Sequence, residues 1–203
     1  MACGIVRLVR LAELGIDGAE WYRDAQRQIE TVCSLASWDT VRFTECLAIT
    51  SPRCSVLRNI RRTFQYMQHG DHLSDTLRSV RRSVANWEET GELSCRASSG
   101  LKVKAFCRSL LGDESAVTLD TWMAEALWVD QQRFGTVSGY ADGVKLVNRT
   151  AKRIGICPRD CQAAIWCGII RDLGQTPAKL DLLAEWSRFV SLGKKYGKGA
   201  VAA

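Results

Sequence analysis

The sequence predicts an all-α fold. Apolar residues recur at helical spacing along most of the chain, no segment is β-rich, and only three prolines occur among 203 residues. Each proline follows a residue able to cap a helix, which suits a first helical position. With 46% apolar and 25% charged residues, the chain can form one globular domain or two small helical lobes. We expect a single two-lobed helical domain over residues 1–192.

Four helices are expected before Gly91. The first two have apolar residues near a helical period, and the next two have an apolar stripe with arginines on the other faces. The third begins at Ser51-Pro52 and ends at Gly70, and Gly91 stops the fourth, since glycine favours the left-handed conformation that follows a helix. The four helices are expected at 17–35, 38–49, 51–67 and 74–90.

Five more helices are expected after a tight connection of small, polar residues at 92–100. The last two open at Pro158 and Pro177, and a break rich in turn-forming residues separates the first two. The five helices are expected at 101–111, 122–128, 138–154, 158–173 and 177–192. The residues after them, 193–203, are basic and glycine-rich, and we expect a flexible tail.

Positive charge is concentrated in one part of the chain. The formal net charge is +6, and the segment 53–108 holds eleven basic residues against five acidic ones. On consecutive helices, these side chains are typical of a surface that contacts phosphates, although a solvated helical surface is the better explanation of any single arginine. The arginines expected to contact DNA are Arg58, Arg61, Arg81 and Arg96.

The nine cysteines do not indicate disulfides or a metal site. They are odd in number and no secretion signal accompanies them. On a helix, Cys157 and Cys161 share a face and Cys167 points the other way, so we expect buried thiols. With only two histidines, we expect neither a metal nor a cofactor. No apolar run is long enough to span a membrane, so we expect a soluble protein of a bacterial or viral-host cytoplasm, with no membrane partner.

The pattern with most chemical content lies between Ser98 and Asp120. At Ser98-Ser99-Gly100-Leu101-Lys102-Val103-Lys104, a turn is expected to open a helix whose free amides could hold a phosphate, with Lys104 beside it. Asp120 follows Lys102 by eighteen residues, after the chain Val117-Thr118-Leu119. This arrangement resembles the helix-hairpin-helix DNA glycosylases of the endonuclease III superfamily, over roughly residues 21–173. It is similar, more narrowly, to divergent glycosylase-like proteins of viral genomes and mobile elements.

The resemblance implies a two-lobed helix-hairpin-helix fold and assigns residues by position. Gly100 matches the second hairpin glycine, Lys102 the lysine of the lyase-competent members, and Asp120 the aspartate. The Leu-Pro-Gly start of the family's hairpin is absent, since Cys95-Arg96-Ala97-Ser98-Ser99 stands there. No cysteine follows Cys167, so the chain cannot build the family's C-terminal four-cysteine iron-sulfur cluster.

The expected activity is cleavage of an N-glycosidic bond in DNA. Asp120 would stabilise the positive charge that develops on the sugar, and Lys102 could attack the sugar to form a Schiff base. A base inside a duplex must first be flipped into a pocket, for which the walls are Trp122, Trp38 and Trp166. Each of these residues also has an ordinary structural interpretation: a surface lysine, a helix N-cap and core tryptophans.

Two alternatives remain open at this point. A DNA base-modification enzyme could keep the fold and the aspartate while it transfers or exchanges a group on a modified base. A non-catalytic DNA-binding module could retain the scaffold alone, although such a module has no need of Lys102 and Asp120 together. In each case we expect a monomer that binds DNA, as part of DNA repair or DNA modification.

Overall fold

A computed structural model describes the backbone of residues 2–70, 76–93 and 97–196 and the side chains of residues 4–70, 76–93 and 100–192. Within these ranges every regular element is helical, which confirms the all-α prediction. No helix in the described ranges is long and apolar enough to cross a membrane. The α-helices are α1 (Ala2–Leu14), α2 (Trp21–Ala36), α3 (Thr40–Thr50), α4 (Val56–His69), α5 (Arg78–Thr90), α6 (Ala97–Leu110), α7 (Thr121–Leu127), α8 (Val137–Ile154), α9 (Pro158–Asp172) and α10 (Leu182–Tyr196). Two short 3-10 helices cover Ile16–Gly18 and Gln131–Gly135.

The chain divides into two compact units. The first combines Met1–Arg23 with Cys95–Ala178, and the second combines Asp24–Ser94 with Lys179–Ala203. The first unit therefore holds α1, the start of α2 and α6 to α9. The second holds the rest of α2, with α3, α4, α5 and α10.

The first unit is built around the pair α1 and α9. A methyl group on Gly168 of α9 would lie 1.9 Å from the carbonyl oxygen of Leu11, and one on Gly15 would lie 2.2 Å from that of Ala164. The two backbones therefore approach more closely than any side chain allows. Helices α7 and α8 pack against this pair, and the shared core includes Leu8, Leu11, Leu119, Met123 and Ile165. Helix α1 is not among the helices expected from the sequence.

The second unit has an aromatic core. Phe64 of α4 packs against Phe43 of α3 and against Trp186 and Phe189 of α10. Trp38 belongs to the same cluster, since its ring stacks on Phe43 at 5.9 Å and meets Trp186 edge-on at 5.1 Å between ring centroids. Trp38 is thus a core residue of the second unit.

Two of the three proline predictions are wrong. Pro158 opens α9 as expected, but α4 begins at Val56 and not at Pro52. Arg53 has the left-handed φ of 52°, which interrupts any helix that starts at Pro52. Likewise α10 begins at Leu182 and not at Pro177, because the Asp181 carboxylate accepts the Ala184 amide at 3.1 Å and so marks the helix start.

The start of α6 is a further correction. The sequence predicts a turn up to Gly100 and a helix from Leu101, whereas α6 begins at Ala97. Serine suits the first turn of a helix and alanine has the highest helix propensity, so the small residues there extend the helix towards its N-terminus. Gly100 is therefore a buried helical residue, and Lys102 lies in the second turn of α6.

Candidate active site

The segment that carries Asp120 is held in place by Tyr140 of α8. The Tyr140 hydroxyl donates to the Val117 carbonyl at 2.9 Å and accepts the Leu119 amide at 3.2 Å. Val117 and Leu119 both belong to the core of the first unit. Burial raises the pKa of Tyr140 to about 12, so this tyrosine stays neutral and keeps its donor. The backbone just before Asp120 is therefore fixed.

Asp120 uses both carboxylate oxygens. It is the N-cap of α7, where Oδ1 accepts the Met123 amide at 3.0 Å. Oδ2 accepts the indole Nε1–H of Trp166, from α9, at 3.2 Å. The structure thus brings together Asp120 and Trp166, two of the residues selected from the sequence, and it also supports the N-cap interpretation of Asp120.

The pKa of Asp120 is raised above the ordinary carboxyl value. Burial is the largest cause, because it disfavours the charged form. The positive charge of Lys102 and hydrogen bonds from Met123, Trp166 and the Trp122 amide lower it, but less strongly. Lys102 is partly buried and acts through space, since no ion pair within 4.0 Å joins it to Asp120 in the described coordinates. Lys102 and Asp120, which are eighteen residues apart in the sequence, therefore interact electrostatically without forming an ion pair.

The indole of Trp166, which bonds this carboxylate, belongs to an aromatic cluster. The ring of Trp21 lies 6.2 Å from that of Trp166 and 6.5 Å from that of Phe106, and Tyr22 meets Phe106 at 6.2 Å. Trp21, Phe106 and Trp166 all keep part of their surface exposed. The cluster comes from α2, α6 and α9 and presents flat apolar faces next to a carboxylate.

Buried polar groups lie beside the aromatic cluster. The Tyr22 hydroxyl donates to Gln162 Oε1 at 2.9 Å, and burial, with the negative charge of Asp120, raises the pKa of Tyr22 well above its usual value. Thr118, which is 5% exposed, has a hydroxyl with no hydrogen-bond partner among the described residues. Gln162 lies one helical turn before Trp166 on α9, so both side chains share the face of α9 that meets Asp120.

An ion network positions the start of α2 against α9. Asp160 accepts Arg159 Nε at 3.0 Å and an Arg23 guanidinium nitrogen at 2.5 Å, and it is almost fully buried. The Arg159 amide donates to the Glu114 carbonyl at 3.0 Å. These contacts tie α2, α9 and the turn before Val117 together, so that Tyr22 reaches Gln162.

Several residues of this site are not predicted from the sequence. Trp21 and Tyr22 fall in the expected helix 17–35 only as apolar residues at helical spacing, and no pattern distinguishes Phe106 or Tyr140. One signal was present, since Gln162 and Trp166 have the spacing of neighbours on one helix face. Nothing in the sequence shows which of the other helices meets that face.

The remaining predicted site residues are placed in different surroundings. Trp122, next to Asp120, is partly buried and packs against the core of the first unit, whereas Trp38 belongs to the aromatic core of the second unit. Lys104 is exposed on α6. Arg96 lies outside the described residues, as do the side chains of Ser98 and Ser99. The flexible tail predicted for 193–203 is wrong at 193–196, which belong to α10, and residues 197–203 lie outside the described residues.

The three arginines of the second unit differ from one another. Arg58 and Arg81 are exposed. Arg61 donates to Glu185 at 2.7 Å, and this ion pair, the largest cause, holds the pKa of Glu185 below its usual value. Because Glu185 is only 5% exposed, Arg61 neutralises a buried carboxylate and so has a structural role that the sequence did not indicate.

Cys161 and Cys167 of α9 are buried, and Cys157 is partly exposed. Among the described residues, no group of three His, Cys, Asp or Glu side chains is arranged to hold a metal ion.

Comparison with known proteins identifies a family but no activity. None of the curated proteins and none of the solved structures that were compared matches the chain. The model of a family of unknown function, DUF7178, matches residues 12–173. This range covers most of the chain and includes Lys102, Asp120 and Trp166, and the protein therefore belongs to the DUF7178 family.

Proposed function

We propose that this protein is a DNA glycosylase-like enzyme that flips a damaged or modified base out of DNA and cleaves its N-glycosidic bond. The observation that carries the proposal is the Asp120 carboxylate, which is held by Trp166 and Met123, has a pKa raised by burial, and interacts electrostatically with Lys102. A carboxyl group whose pKa is raised by burial and that also interacts with a specific neighbouring charge is typical of functional sites.

Asp120 has the features that stabilisation of a sugar cation requires. Cleavage of an N-glycosidic bond builds positive charge on the anomeric carbon, and a carboxylate nearby lowers the energy of that transition state. Its two oxygens are oriented before any substrate arrives, by hydrogen bonds of 3.0 and 3.2 Å. Since the surroundings are largely apolar, the same charge acts more strongly than it would in water.

Lys102 is the proposed nucleophile. Its neutral amine attacks the anomeric carbon, the carbon–nitrogen bond to the base breaks, and the base leaves with the electron pair. The new ammonium must then lose a proton; the nitrogen lone pair can then expel the ring oxygen of the sugar, which leaves with its electron pair and takes up that proton as the ring opens to the Schiff base. Burial makes Asp120 a stronger base than an ordinary carboxylate, so that it can accept this proton, directly after the side chains close up or through a water molecule.

The aromatic cluster supports recognition of a flipped base. Trp21, Phe106 and Trp166 present ring faces on which a base can stack, and Gln162 and Thr118 offer polar groups for its edge. The Thr118 hydroxyl interacts with Tyr22 but has no hydrogen bond of good geometry among the described residues, so a polar ligand that reaches it would gain one. Trp166, which bonds Asp120, and Trp122, which lies two residues after Asp120 in the chain, are proposed as pocket residues. Trp38 packs in an aromatic core.

Binding of DNA would rest on phosphate contacts. Arg58, Arg81 and Lys104 are exposed cations, and with Arg96, Ser98 and Ser99 they are proposed to contact the phosphate backbone. Gly100 is not part of this surface, because it is buried within α6. Such contacts position a protein on DNA without reading its sequence. The protein is proposed to act as a monomer.

One observation favours a non-catalytic DNA-binding module instead. Asp120 already caps α7 and bonds Trp166, so its place in the fold can be explained without catalysis. The raised pKa of Asp120 argues against a purely structural role. An aspartate that serves only as a helix cap is more favourable at an exposed site, where its charge stays hydrated.

The experiment is incubation with single-stranded and duplex DNA that carries a panel of damaged and modified bases. Mass spectrometry detects a released or altered base, which separates hydrolysis from group transfer, and borohydride traps a covalent adduct. We expect Lys102→Gln to abolish trapping and to leave some base release, and Asp120→Asn to suppress both. Lys152→Gln, at an exposed lysine of the same unit, controls for the lost charge. Full activity of Asp120→Asn on a substrate of the wild type would contradict the proposal.

A further inference from the structure

Trp128 has a backbone conformation that does not suit tryptophan. It is the C-cap of α7, with φ 52° and ψ 46°, and its amide bonds the Ala124 and Glu125 carbonyls. This left-handed position normally holds glycine, because a side chain there is crowded by its own backbone. The side chain gains little from burial in return, since Trp128 is 65% exposed. Neither the backbone nor the core therefore explains a tryptophan at this position.

Arg7 of α1 lies against the same ring. Its guanidinium carbon is 4.2 Å from the centre of the Trp128 ring, and its Nε donates to the Ala126 carbonyl at 3.1 Å. The hydrogen bond fixes the guanidinium beside the indole. Within the described part of the chain, Arg7 makes no ion pair with a carboxylate, so its charge is not neutralised. An open aromatic face and an unneutralised guanidinium thus stand side by side.

We propose that Trp128 and Arg7 form a platform that holds an unpaired nucleotide of a DNA strand, with the base stacked on the indole and a phosphate on the guanidinium. A flat ring joined to an anion is the chemistry that complements this pair. The inference rests on the proposed function in one respect, namely that DNA is the partner. The platform adds a second contact with DNA, at a place away from Asp120 that single-stranded DNA can reach.

The platform lies at the other end of α7 from Asp120. Asp120 caps the N-terminus of α7 and Trp128 its C-terminus, so the two are about 12 Å apart along the helix. At about 3.4 Å per stacked nucleotide, this distance corresponds to about three nucleotides. Exposed Glu125 and Asp130 lie close to Trp128 in the chain and outnumber the single cation Arg7, so the platform adds no net positive charge. Its contribution to binding should therefore depend only weakly on salt.

The test is fluorescence anisotropy with a labelled decathymidine and with a labelled duplex at several salt concentrations. Trp128→Gly removes the ring and should weaken binding of decathymidine about tenfold, within the range that one base–aromatic stack contributes. The loss should persist at high salt and be small for the duplex. Trp128→Phe should keep most of the affinity, and Arg7→Gln should weaken binding mainly at low salt. Val137→Ala, at a residue 75% exposed in the same unit, is the control.

Thermal unfolding separates binding from a structural role. Glycine suits the left-handed position, so Trp128→Gly should melt no lower than the wild type. If Trp128→Gly and the wild type bind decathymidine with equal affinity, the platform is overturned. In that case, binding of the wild type to the duplex would still leave the proposed function intact. A wild type that binds neither DNA overturns both. If the wild type is a dimer, and Trp128→Gly converts it to monomers without changing the affinity for decathymidine, the ring serves self-association. That result would also overturn the platform.

Discussion

Replacement of Asp120 tests the site without any knowledge of the substrate. In Asp120→Asn the carbonyl oxygen can still cap α7, because asparagine is as good an N-cap as aspartate. In the wild type, the Trp166 Nε1–H donates to Oδ2 at 3.2 Å. In the variant, the amide nitrogen of asparagine stands in the place of Oδ2, and two donors cannot form a hydrogen bond. We expect a loss of about 1 kcal/mol for that hydrogen bond. Asp120→Ala also removes the cap and should lose about 2 kcal/mol.

The difference between wild type and Asp120→Asn should depend on pH. The pKa of Asp120 is raised in the folded state, mainly by burial, so the folded protein binds the proton more tightly than the unfolded chain. Stability of the wild type therefore falls as pH rises from about 4, the ordinary carboxyl value, through the folded pKa. Asparagine does not titrate. The advantage of the wild type should be largest at the acid end and should shrink towards neutral pH.

Urea unfolding of both proteins at pH 4 and pH 7, at constant ionic strength, measures this difference. Asp130→Asn is the matched control, since Asp130 is also an N-cap, with its carboxylate on the Gln132 amide at 2.8 Å, but is exposed. A wild-type advantage that grows from pH 4 to pH 7 would refute the reasoning. It would mean that Lys102 and the hydrogen-bond donors outweigh burial at Asp120.

Two further predictions concern the arginines and the glycines. Arg58→Ala and Arg81→Ala should each lower affinity for DNA of any sequence and reduce the salt slope by about 1, measured by anisotropy against salt. Arg61→Ala should instead lower the melting temperature, because Glu185 then keeps only its 2.5 Å contact with Arg188; an unchanged melting temperature would contradict a structural role of Arg61. Gly168→Ala should destabilise the first unit by at least about 1–3 kcal/mol, since its methyl group would lie 1.9 Å from the Leu11 carbonyl. Gly4→Ala in α1, with nothing within 4 Å of the added methyl, should stabilise by about 0.5–1 kcal/mol, and equal melting temperatures of these two variants would contradict the close approach.

The sequence by itself determined the all-α class and the helices whose ends carry local signals. Pro158 opens α9, Gly155 ends α8 in the left-handed conformation with φ 76°, and Gly91 ends α5 in the same way with φ 69°. Start and stop signals act through backbone sterics and caps within a few residues. Such signals can be recognised without knowledge of the fold, although a proline alone is not enough, since neither Pro52 nor Pro177 opens a helix. Asp120 as a helix cap follows from the same local chemistry.

The tertiary structure alone decided which helices meet at the candidate site. The hydrogen bond between Tyr22 and Gln162 and the contact of Trp166 with Asp120 join distant parts of the chain, and no local pattern encodes such pairs. The same holds for α1, whose place depends on the close approach of Gly168 to Leu11, and for Arg61, whose partner Glu185 belongs to α10. Burial of Asp120, which raises its pKa, exists only once these elements pack together, because desolvation depends on every group that replaces water around the carboxylate.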